Sequence, residues 1–435
     1  MTTDSVTGAL AAACAQVRQA GPDDAVAGVQ PSLVAAPASV DEASAVMRAA
    51  AALGLAVLPR GSGSKLDWGT PPRRCDLIID TRLLNTVLEH AAGDLVVRVQ
   101  AGVGIGQLSA TLAAAGQRLA LDPPALDGGG TIGGLLATGA AGPLRLRYGT
   151  PRDLLIGITV VRADGAVTRS GGKVVKNVAG YDLGKLYTGS YGTLGVIAEA
   201  AFRLHPLPAA AAFVTLDCAE PAATEALLAA AVDSPLAPAA AELDRPARGA
   251  PLRAGILLEG DRDGVAERAE RMRGLLGDGA QVSAQPPPWW GLGAAASAAG
   301  TMVRIAFWAG ELAAVLGATD AAAAAAGLDP AVSGSAAAGV LHVAAEAGAE
   351  PAAVARFVTA LRAALSASPV GSAVPGAAAG GLPARASAVV VRAPAGVRAA
   401  VDVWGPVPSA GLMRSVKDQF DPEHRMAPGR FAGGI

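Results

Sequence analysis

The spacing of apolar residues between positions 37 and 208 alternates between the periods of helices and strands. Ser39 precedes apolar residues at helical intervals, which predicts a capped helix through residue 52 with Val46 and Met47 on its apolar face. The same pattern predicts a helix at 104–115 and strands at 55–58, 77–80, 95–103, 155–161, 166–170 and 194–204. The Asp164-Gly165 turn predicts a β-hairpin.

After residue 208 the composition shifts towards Ala, Pro and Gly. Strand-like runs recur at 212–216, 255–259, 303–308 and 340–343, with helix-like runs between them. Residues 321–326 and 370–383 are low in complexity and read as loops or insertions. No internal repeat is recognisable. The pattern predicts three parts: residues 1–208, 209–403 and a more polar segment at 404–435.

Composition indicates a globular chain, because 51% of the 435 residues are hydrophobic and only 17% are charged. The net charge of -2, without a basic stripe, argues against nucleic-acid binding. Cys14, Cys75 and Cys218 form no CxxC pair, which argues against an iron–sulfur cluster or a cysteine-rich zinc site in this chain.

Cellular location is predicted from the same features. The scattered cysteines fit a reducing compartment. No basic stretch leads into an apolar run near the N-terminus, and no apolar stretch is long enough to span a bilayer without prolines and glycines. We therefore expect a cytoplasmic protein without a transmembrane segment, which reaches a membrane only through partners.

The first glycine segment, residues 59–65, directly follows a predicted strand. Gly61 and Gly63 permit unusual backbone angles, so that bare N–H groups can point at one anion, and Ser62 and Ser64 add hydroxyl donors. The segment is neither a P-loop nor a GxGxxG fingerprint, because Leu66 occupies the third glycine position. The alternative is an ordinary turn.

The second glycine segment, residues 122–149, places small residues over more than twenty positions. Ile132, Leu135 and Leu136 keep a helical spacing within it, which favours a short helix whose N-terminus meets a phosphate over a flexible linker. The third glycine segment, residues 171–197, leads into a strand. All four tyrosines fall between Tyr148 and Tyr191, which suits either a stacking site or a locally larger core.

Together these segments resemble the FAD-binding domain of the vanillyl-alcohol oxidase/PCMH superfamily, and most closely its E-type flavin subunit of bacterial glycolate oxidase. The resemblance rests on residues 174–182 (VVKNVAGYD), Gly142-Pro143, residues 147–149 and Arg152-Asp153. Near the C-terminus, FDP at 420–422 and PGRF at 428–431 also match, with Ala427 in place of the usual Asn. The resemblance implies an α+β fold, with a two-subdomain PCMH-type FAD-binding domain, an α/β cap domain and a C-terminal return segment that packs on the FAD domain.

The resemblance also implies a set of FAD-binding residues. Those assigned to the pyrophosphate, ribityl and ring regions are Arg60, Gly61, Ser62, Gly63, Ser64, Pro123, Thr131, Gly133, Gly134, Thr138, Gly139, Tyr148, Gly149, Asp153, Gly192, Gly195 and Ile197. Covalently linked relatives use a His in the first loop, sometimes with a Cys in the second. Neither is present here, so we expect noncovalent FAD.

The second half offers little catalytic chemistry. His342, followed by Glu346, is more typical of a structural histidine than of a metal ligand, so we predict no metal site and assign no catalytic base. Arg145, Arg147 and Arg152 are candidate cations for a carboxylate. The resemblance implies a complex that oxidises glycolate, a 2-hydroxy acid, to glyoxylate. Because this chain lacks a base, we expect it to support a catalytic flavoprotein subunit and to relay electrons through its own FAD towards an iron–sulfur subunit. The alternatives are a self-sufficient FAD oxidoreductase and a flavin-free structural subunit.

Overall fold

A computed structural model describes residues 3–124, 129–173, 181–291, 300–367 and 386–435. The chain divides into two compact units. The first contains residues 1–141, 148–207 and 409–435, and the second contains residues 142–147 and 208–408. The function of each unit stays a prediction at this point.

Strands and helices alternate along both units. The strands are β1 (Val17–Gln19), β2 (Leu33–Ala35), β3 (Val57–Arg60), β4 (Leu77–Asp80), β5 (Val87–Ala91), β6 (Val96–Gln100), β7 (Gln117–Arg118), β8 (Leu155–Val161), β9 (Val167–Gly171), β10 (Val196–Arg203), β11 (His205–Pro206), β12 (Ala210–Cys218), β13 (Ala240–Arg245), β14 (Leu252–Gly260), β15 (Gln281–Ser283), β16 (Thr301–Phe307), β17 (Ala331–Gly334), β18 (Val340–Ala345) and β19 (Ala386–Arg392). The helices are α1 (Thr3–Ala13), α2 (Val40–Ala52), α3 (Ile105–Ala113), α4 (Ile132–Thr138), α5 (Arg145–Tyr148), α6 (Pro151–Leu154), α7 (Gly184–Tyr187), α8 (Pro221–Asp233), α9 (Arg262–Leu276), α10 (Leu312–Ala326), α11 (Pro351–Ala367), α12 (Ala395–Ala400) and α13 (Ala410–Phe420).

The first unit contains a four-stranded sheet in the order β1-β2-β4-β3, in which β2, β4 and β3 run parallel. Helix α2 connects β2 to β3. Its N-cap residue Ser39 accepts a hydrogen bond from Glu42 N at 3.1 Å, which satisfies one of the free amides of the first turn. Val46 and Met47 on this helix are fully buried in one core with Leu77. The predicted cap and apolar face are confirmed.

A five-stranded antiparallel sheet, in the order β5-β6-β10-β8-β9, completes the frame of the first unit. The predicted hairpin is confirmed, because β8 pairs with β9 and Val161 lies opposite Val167. Gly165 in its turn has a φ of 84°, which glycine adopts without steric cost. A Cβ there would also lie 2.8 Å from Ser44 O on α2.

The C-terminal segment adds to the exposed edge of β3. Val57 N donates to Arg425 O at 2.8 Å, and Ala427 N donates to Val57 O at 2.8 Å, so that Met426 forms a parallel bridge with Val57. These hydrogen bonds pair the backbone N–H and C=O groups of Val57, which would otherwise be free at the edge of the sheet.

A buried lysine fixes the same segment. The Lys417 side chain is 0% exposed, and its Nζ donates to Thr193 O at 2.7 Å, Met426 O at 2.9 Å and Asp421 Oδ2 at 2.7 Å. Each of the three N–H donors of the ammonium therefore has an acceptor within the first unit. A buried charge without such partners would be strongly destabilising.

The second unit is an eight-stranded antiparallel sheet in the order β15-β12-β14-β13-β17-β18-β16-β19. Residues 210–283 follow the order β-α-β-β-α-β, and residues 301–392 follow it again. In each half the last strand pairs with the first, the first with the third and the third with the second, as in ferredoxin-like folds. The halves join where β13 pairs with β17.

This repeat corrects the sequence analysis, which recognised none. The two halves share the order and pairing of their elements rather than their residues, so apolar spacing alone does not reveal it. Residues 321–326, read as a loop or insertion, end helix α10 instead, because Ala322 and Ala323 pack into the core of this unit. Residues 370–383 lie outside the described residues. No helix in the described part of the chain is long and apolar enough to cross a membrane.

The buried Lys417–Asp421 pair generates a stability prediction. Replacing Asp421 by Asn leaves the Lys417 ammonium buried without its counter-charge, which we expect to destabilise the first unit by about 3–5 kcal/mol. Hydrogen exchange of the β10 amides should speed up, while the β14 amides of the second unit keep their rates. The matched control is Asp182→Asn, which removes the exposed partner of Lys185 and should cost less than about 1 kcal/mol. Equal effects of the two substitutions would contradict this account.

Candidate functional site

A cleft that is open to solvent lies in the first unit where the three glycine segments meet. The first segment contributes residues 58–66, the second contributes residues between Gly130 and Thr138, and the third contributes residues between Tyr191 and Ile197. Thr81 and Arg430 complete the lining.

Arg60 fixes the base of the first segment. Its guanidinium is buried, with Nη1 2.8 Å from Asp24 Oδ1 and Nη2 2.9 Å from Asp80 Oδ2. The Arg60 carbonyl in turn accepts a hydrogen bond from Thr81 Oγ1 at 3.2 Å. The resemblance assigned Arg60 to the pyrophosphate. Its guanidinium pairs with two carboxylates, while the residue is part of the cleft lining.

Both carboxylates stay ionised. The hydrogen bond from Arg18, with the one from Arg60, holds the pKa of Asp24 far below its usual range despite burial. Burial tends to raise the pKa of Asp80, but hydrogen bonds from Arg82 and Arg60 outweigh it and lower that pKa. The ion pairs that hold Arg60 therefore persist at neutral pH.

Gly61 lets the first and second segments touch. A Cβ on Gly61 would lie 2.1 Å from Thr131 Oγ1, so no other residue fits there without moving Thr131. Ser62 Oγ donates to Gly129 O at 3.0 Å and joins the same two segments again. The backbone N–H groups of Ser62, Gly63 and Ser64 have no acceptor among the described residues.

The second segment begins a short helix at the cleft, as predicted. Thr131 is the N-cap of α4, and its Oγ1 accepts a hydrogen bond from Gly134 N at 3.3 Å. Gly133 N donates to Ala101 O at 2.7 Å, and a Cβ on Gly133 would lie 2.9 Å from Ala101 Cβ. The helix thus packs directly on the end of β6.

The third segment closes the cleft through main-chain contacts. Tyr191 N donates to Ala137 O at 2.8 Å, and Tyr191 adopts a left-handed φ of 55°. A Cβ on Gly192 would lie 3.2 Å from Pro59 Cδ, and one on Gly195 would lie 2.8 Å from Val160 Cγ1. These glycines allow backbone segments to pack closely, which brings their amides to one cleft.

Most of the residues assigned by resemblance line this cleft. They are Arg60, Gly61, Ser62, Gly63, Ser64, Thr131, Gly133, Gly134, Thr138, Gly192, Gly195 and Ile197. The others lie outside its lining: Pro123, Gly139, Tyr148, Gly149 and Asp153. Whether any of these residues touches the cofactor stays a prediction.

The residues outside the lining have local contacts. Tyr148 packs edge-on against His205 with ring centroids 4.7 Å apart, and its hydroxyl accepts a hydrogen bond from Arg118 at 3.0 Å. Asp153 accepts hydrogen bonds from Thr150 N at 2.8 Å and Thr150 Oγ1 at 2.7 Å, as part of a helix cap. Gly139 ends α4 with a left-handed φ of 62°.

Sequence reasoning missed two cations in the lining, Lys65 and Arg430. Lys65 is the last residue of the first segment, so its position was a usable signal. Arg430 lies in the matched PGRF stretch, but its place in the cleft has no local signal, because the residues that it binds are more than 360 positions earlier in the chain. It donates to Leu66 O at 3.0 Å and to Trp68 O at 2.9 Å. Residues 174–180, the most specific part of the resemblance, and Gly128 lie outside the described residues.

The second unit holds His342 in strand β18, with Glu346 after the strand end. Burial lowers the pKa of His342 to about 3, with the charges of Arg145 and Arg304 adding to the effect, so the ring is neutral near pH 7. The described residues contain no group of three or more potential metal ligands. Arg145, Arg147 and Arg152 are not among the described residues that line the cleft.

Comparison with known proteins identifies the cofactor. Residues 31–171 match the family model described as an FAD binding domain. The glycolate oxidase subunit GlcD of Bacillus subtilis is 38% identical over 178 residues, which are 41% of this chain and 38% of that protein. The subunit GlcE of Escherichia coli is 38% identical over 151 residues, 35% of this chain and 43% of that protein. The D-lactate dehydrogenase of Archaeoglobus fulgidus is 37% identical over 174 residues, 40% of this chain and 39% of that protein. The matched region is thus less than half of each relative.

Solved structures extend the likeness in fold to nearly the whole chain. The 4-ethylphenol oxidase from Gulosibacter chungangensis matches with a TM-score of 0.70 and 18% identity, over 98% of this chain and 96% of that one. p-Cresol methylhydroxylase matches with a TM-score of 0.68 and 15% identity over the same shares of 98% and 96%. The chain therefore has the PCMH-type α+β fold, its residues 31–171 match an FAD binding domain, and FAD is its cofactor.

Proposed function

We propose that this chain is an FAD-dependent oxidoreductase subunit that takes part in the oxidation of a small 2-hydroxy acid, glycolate, to glyoxylate. The observation that carries the proposal is the cleft lined by the first glycine segment, in which the backbone N–H groups of residues 62–64 have no acceptor among the described residues. The sequence relatives named as glycolate oxidase subunits and D-lactate dehydrogenase support the substrate class.

The residues of the cleft suit the phosphate part of FAD. Successive N–H groups around a residue with positive φ form a concave anion site, and Gly63 has a φ of 83°. Thr131 holds the start of α4 against this loop, and Ile197 and Leu58 supply apolar lining. The Arg60 ion pairs keep the loop in place before the cofactor arrives, which reduces the ordering cost of binding.

FAD, when bound, supplies the acceptor for the two electrons and the hydrogen lost from the alcohol carbon. The proton of the substrate hydroxyl needs a base, and the described residues lining the cleft include no His, Asp or Glu. We therefore propose that a separate catalytic flavoprotein subunit carries the chemistry on the hydroxy acid. This chain then supports that subunit and passes electrons through its own FAD towards an iron–sulfur subunit. A cytoplasmic complex that meets a membrane through its partners is part of the proposal.

Gly61→Ala tests the cleft itself. The added Cβ would meet Thr131 Oγ1 at 2.1 Å, so the two segments must separate, and we expect purified protein to retain less than a tenth of the wild-type FAD. The measurement is the flavin-to-protein absorbance ratio. Gly106→Ala is the control, because a Cβ there meets nothing within 4 Å and should leave the ratio unchanged. Addition of Thr131→Ala, which removes Oγ1, should restore part of the FAD. Full FAD in Gly61→Ala would place the cofactor elsewhere.

The mode of FAD attachment has a direct test. Ser62 and Ser64 stand in the loop where covalently linked relatives carry a histidine, so acid precipitation should release all of the flavin into the supernatant. Absorbance spectra before and after precipitation measure this. Yellow colour that stays with the denatured protein would contradict noncovalent binding.

The subunit role predicts a division of activity. The isolated, FAD-loaded chain should reduce an artificial dye with glycolate at a small fraction of the rate of the assembled complex, because a proton-accepting group is supplied by the partner. Rapid turnover by the isolated chain would instead favour a self-sufficient oxidoreductase. A chain that takes up no FAD would favour the structural-subunit alternative.

A further inference from the structure

We propose that Lys65 is the counter-ion of the cofactor's diphosphate and that it makes this cleft select a dinucleotide over flavins with fewer phosphates. The inference rests on the proposed location of FAD in the cleft. It assigns a role to the last residue of the first glycine segment, for which the resemblance implied none.

The other cations of the cleft lining already have partners. The basic residues in its lining are Arg60, Lys65 and Arg430. Arg60 is held between Asp24 and Asp80, at 2.8 and 2.9 Å, and Arg430 donates to two backbone carbonyls of residues 66 and 68. Neither guanidinium can turn to an incoming anion without breaking these contacts.

Lys65 is different, because no carboxylate of the described residues forms an ion pair with it. Its Nζ lies 5.6 Å from the centre of the Trp68 ring, a contact that orients an ammonium while leaving its N–H donors available. Nζ also lies 3.9 Å from the position of a Cβ on Gly130, at the start of the second segment. The side chain therefore spans the gap between the two segments that form the cleft.

The partial burial of Lys65 favours the binding of an anion beside it. Burial lowers the pKa of its ammonium, and the charge of Asp67 offsets this only in part. A half-buried cation without a partner gains more from a counter-charge than an exposed one, because water screens the pair less. A diphosphate at the N–H groups of residues 62–64 supplies that counter-charge next to the lysine, whereas riboflavin supplies none.

The test compares Lys65→Met and Lys65→Arg with wild type in the flavin-free chain, using FAD, FMN and riboflavin in separate titrations. Loss of a charge-assisted contact should weaken FAD binding by about 10- to 100-fold in Lys65→Met. Riboflavin affinity should not change, and Lys65→Arg should keep most of the FAD affinity. Raising the salt concentration should weaken FAD binding to wild type more steeply than to Lys65→Met.

Lys185→Met is the matched control, because Lys185 is an exposed lysine of the same unit that pairs with Asp182. It should leave all three affinities unchanged. If Lys65→Met binds FAD as tightly as wild type, or loses FAD and riboflavin by the same factor, Lys65 is not a phosphate counter-ion and the inference is overturned. If wild-type protein binds none of the three flavins, the proposed function fails with it, so the two failures are distinguishable.

Discussion

The cleft depends on one steric constraint, the approach of the first glycine segment to Thr131. These backbones meet at a distance at which a Cβ on Gly61 would lie 2.1 Å from a hydroxyl oxygen. The contact sets the relative positions of the loop after β3 and the start of α4, and a third segment then packs on Pro59 through Gly192. Because the three segments are far apart in the chain, a shift at Gly61 would move amides and hydroxyls on all sides of the cleft.

The charged residues around the first glycine segment fall into two groups: those that pair with one another and Lys65, which we propose to bind the ligand. Ion pairs link five residues of alternating charge and fix the start of the first glycine segment at Arg60. They are Arg18, Asp24, Arg60, Asp80 and Arg82, of which the middle three are buried. A guanidinium in such a pair is costly to release, since the carboxylates would stay behind uncompensated. Lys65 forms no ion pair with a carboxylate of the described residues, and we propose that the ligand supplies its counter-charge.

The C-terminal segment also contacts the first glycine segment and the strand before it. Met426 bridges to Val57 at the edge of β3, Lys417 holds Met426 and Thr193 together, and Arg430 binds the carbonyls that follow Lys65. The second unit is therefore inserted in the sequence of the first. The residues that follow the insertion supply the bridge from Met426 to the edge of β3. Removal of the C-terminal residues would expose the edge of β3 as well as the cleft.

The sequence by itself determined those features that depend on local apolar spacing, on a helix cap, or on glycines where no other residue fits. Ser39 capped α2 as predicted, residues 77–80 and 155–161 formed the predicted strands, and the glycine segments marked the cleft. Strand ends were less certain: residues 55–58 were predicted where Val57–Arg60 forms, because pairing with β4 decides which residues complete a ladder. The short strands β13 and β17 were missed for the same reason, since they are recognisable only beside their partners.

The remaining features depended on tertiary structure alone. It paired the Arg60 guanidinium with Asp24 and Asp80, and it left Tyr148 and Asp153 with local partners outside the cleft lining. It brought Arg430 to a loop more than 360 positions away. It also folded residues 210–283 and 301–392 into two matching halves without a recognisable sequence repeat. Local chemistry specifies which residues can bind an anion, but which of them are free to do so depends on neighbours that only folding brings together.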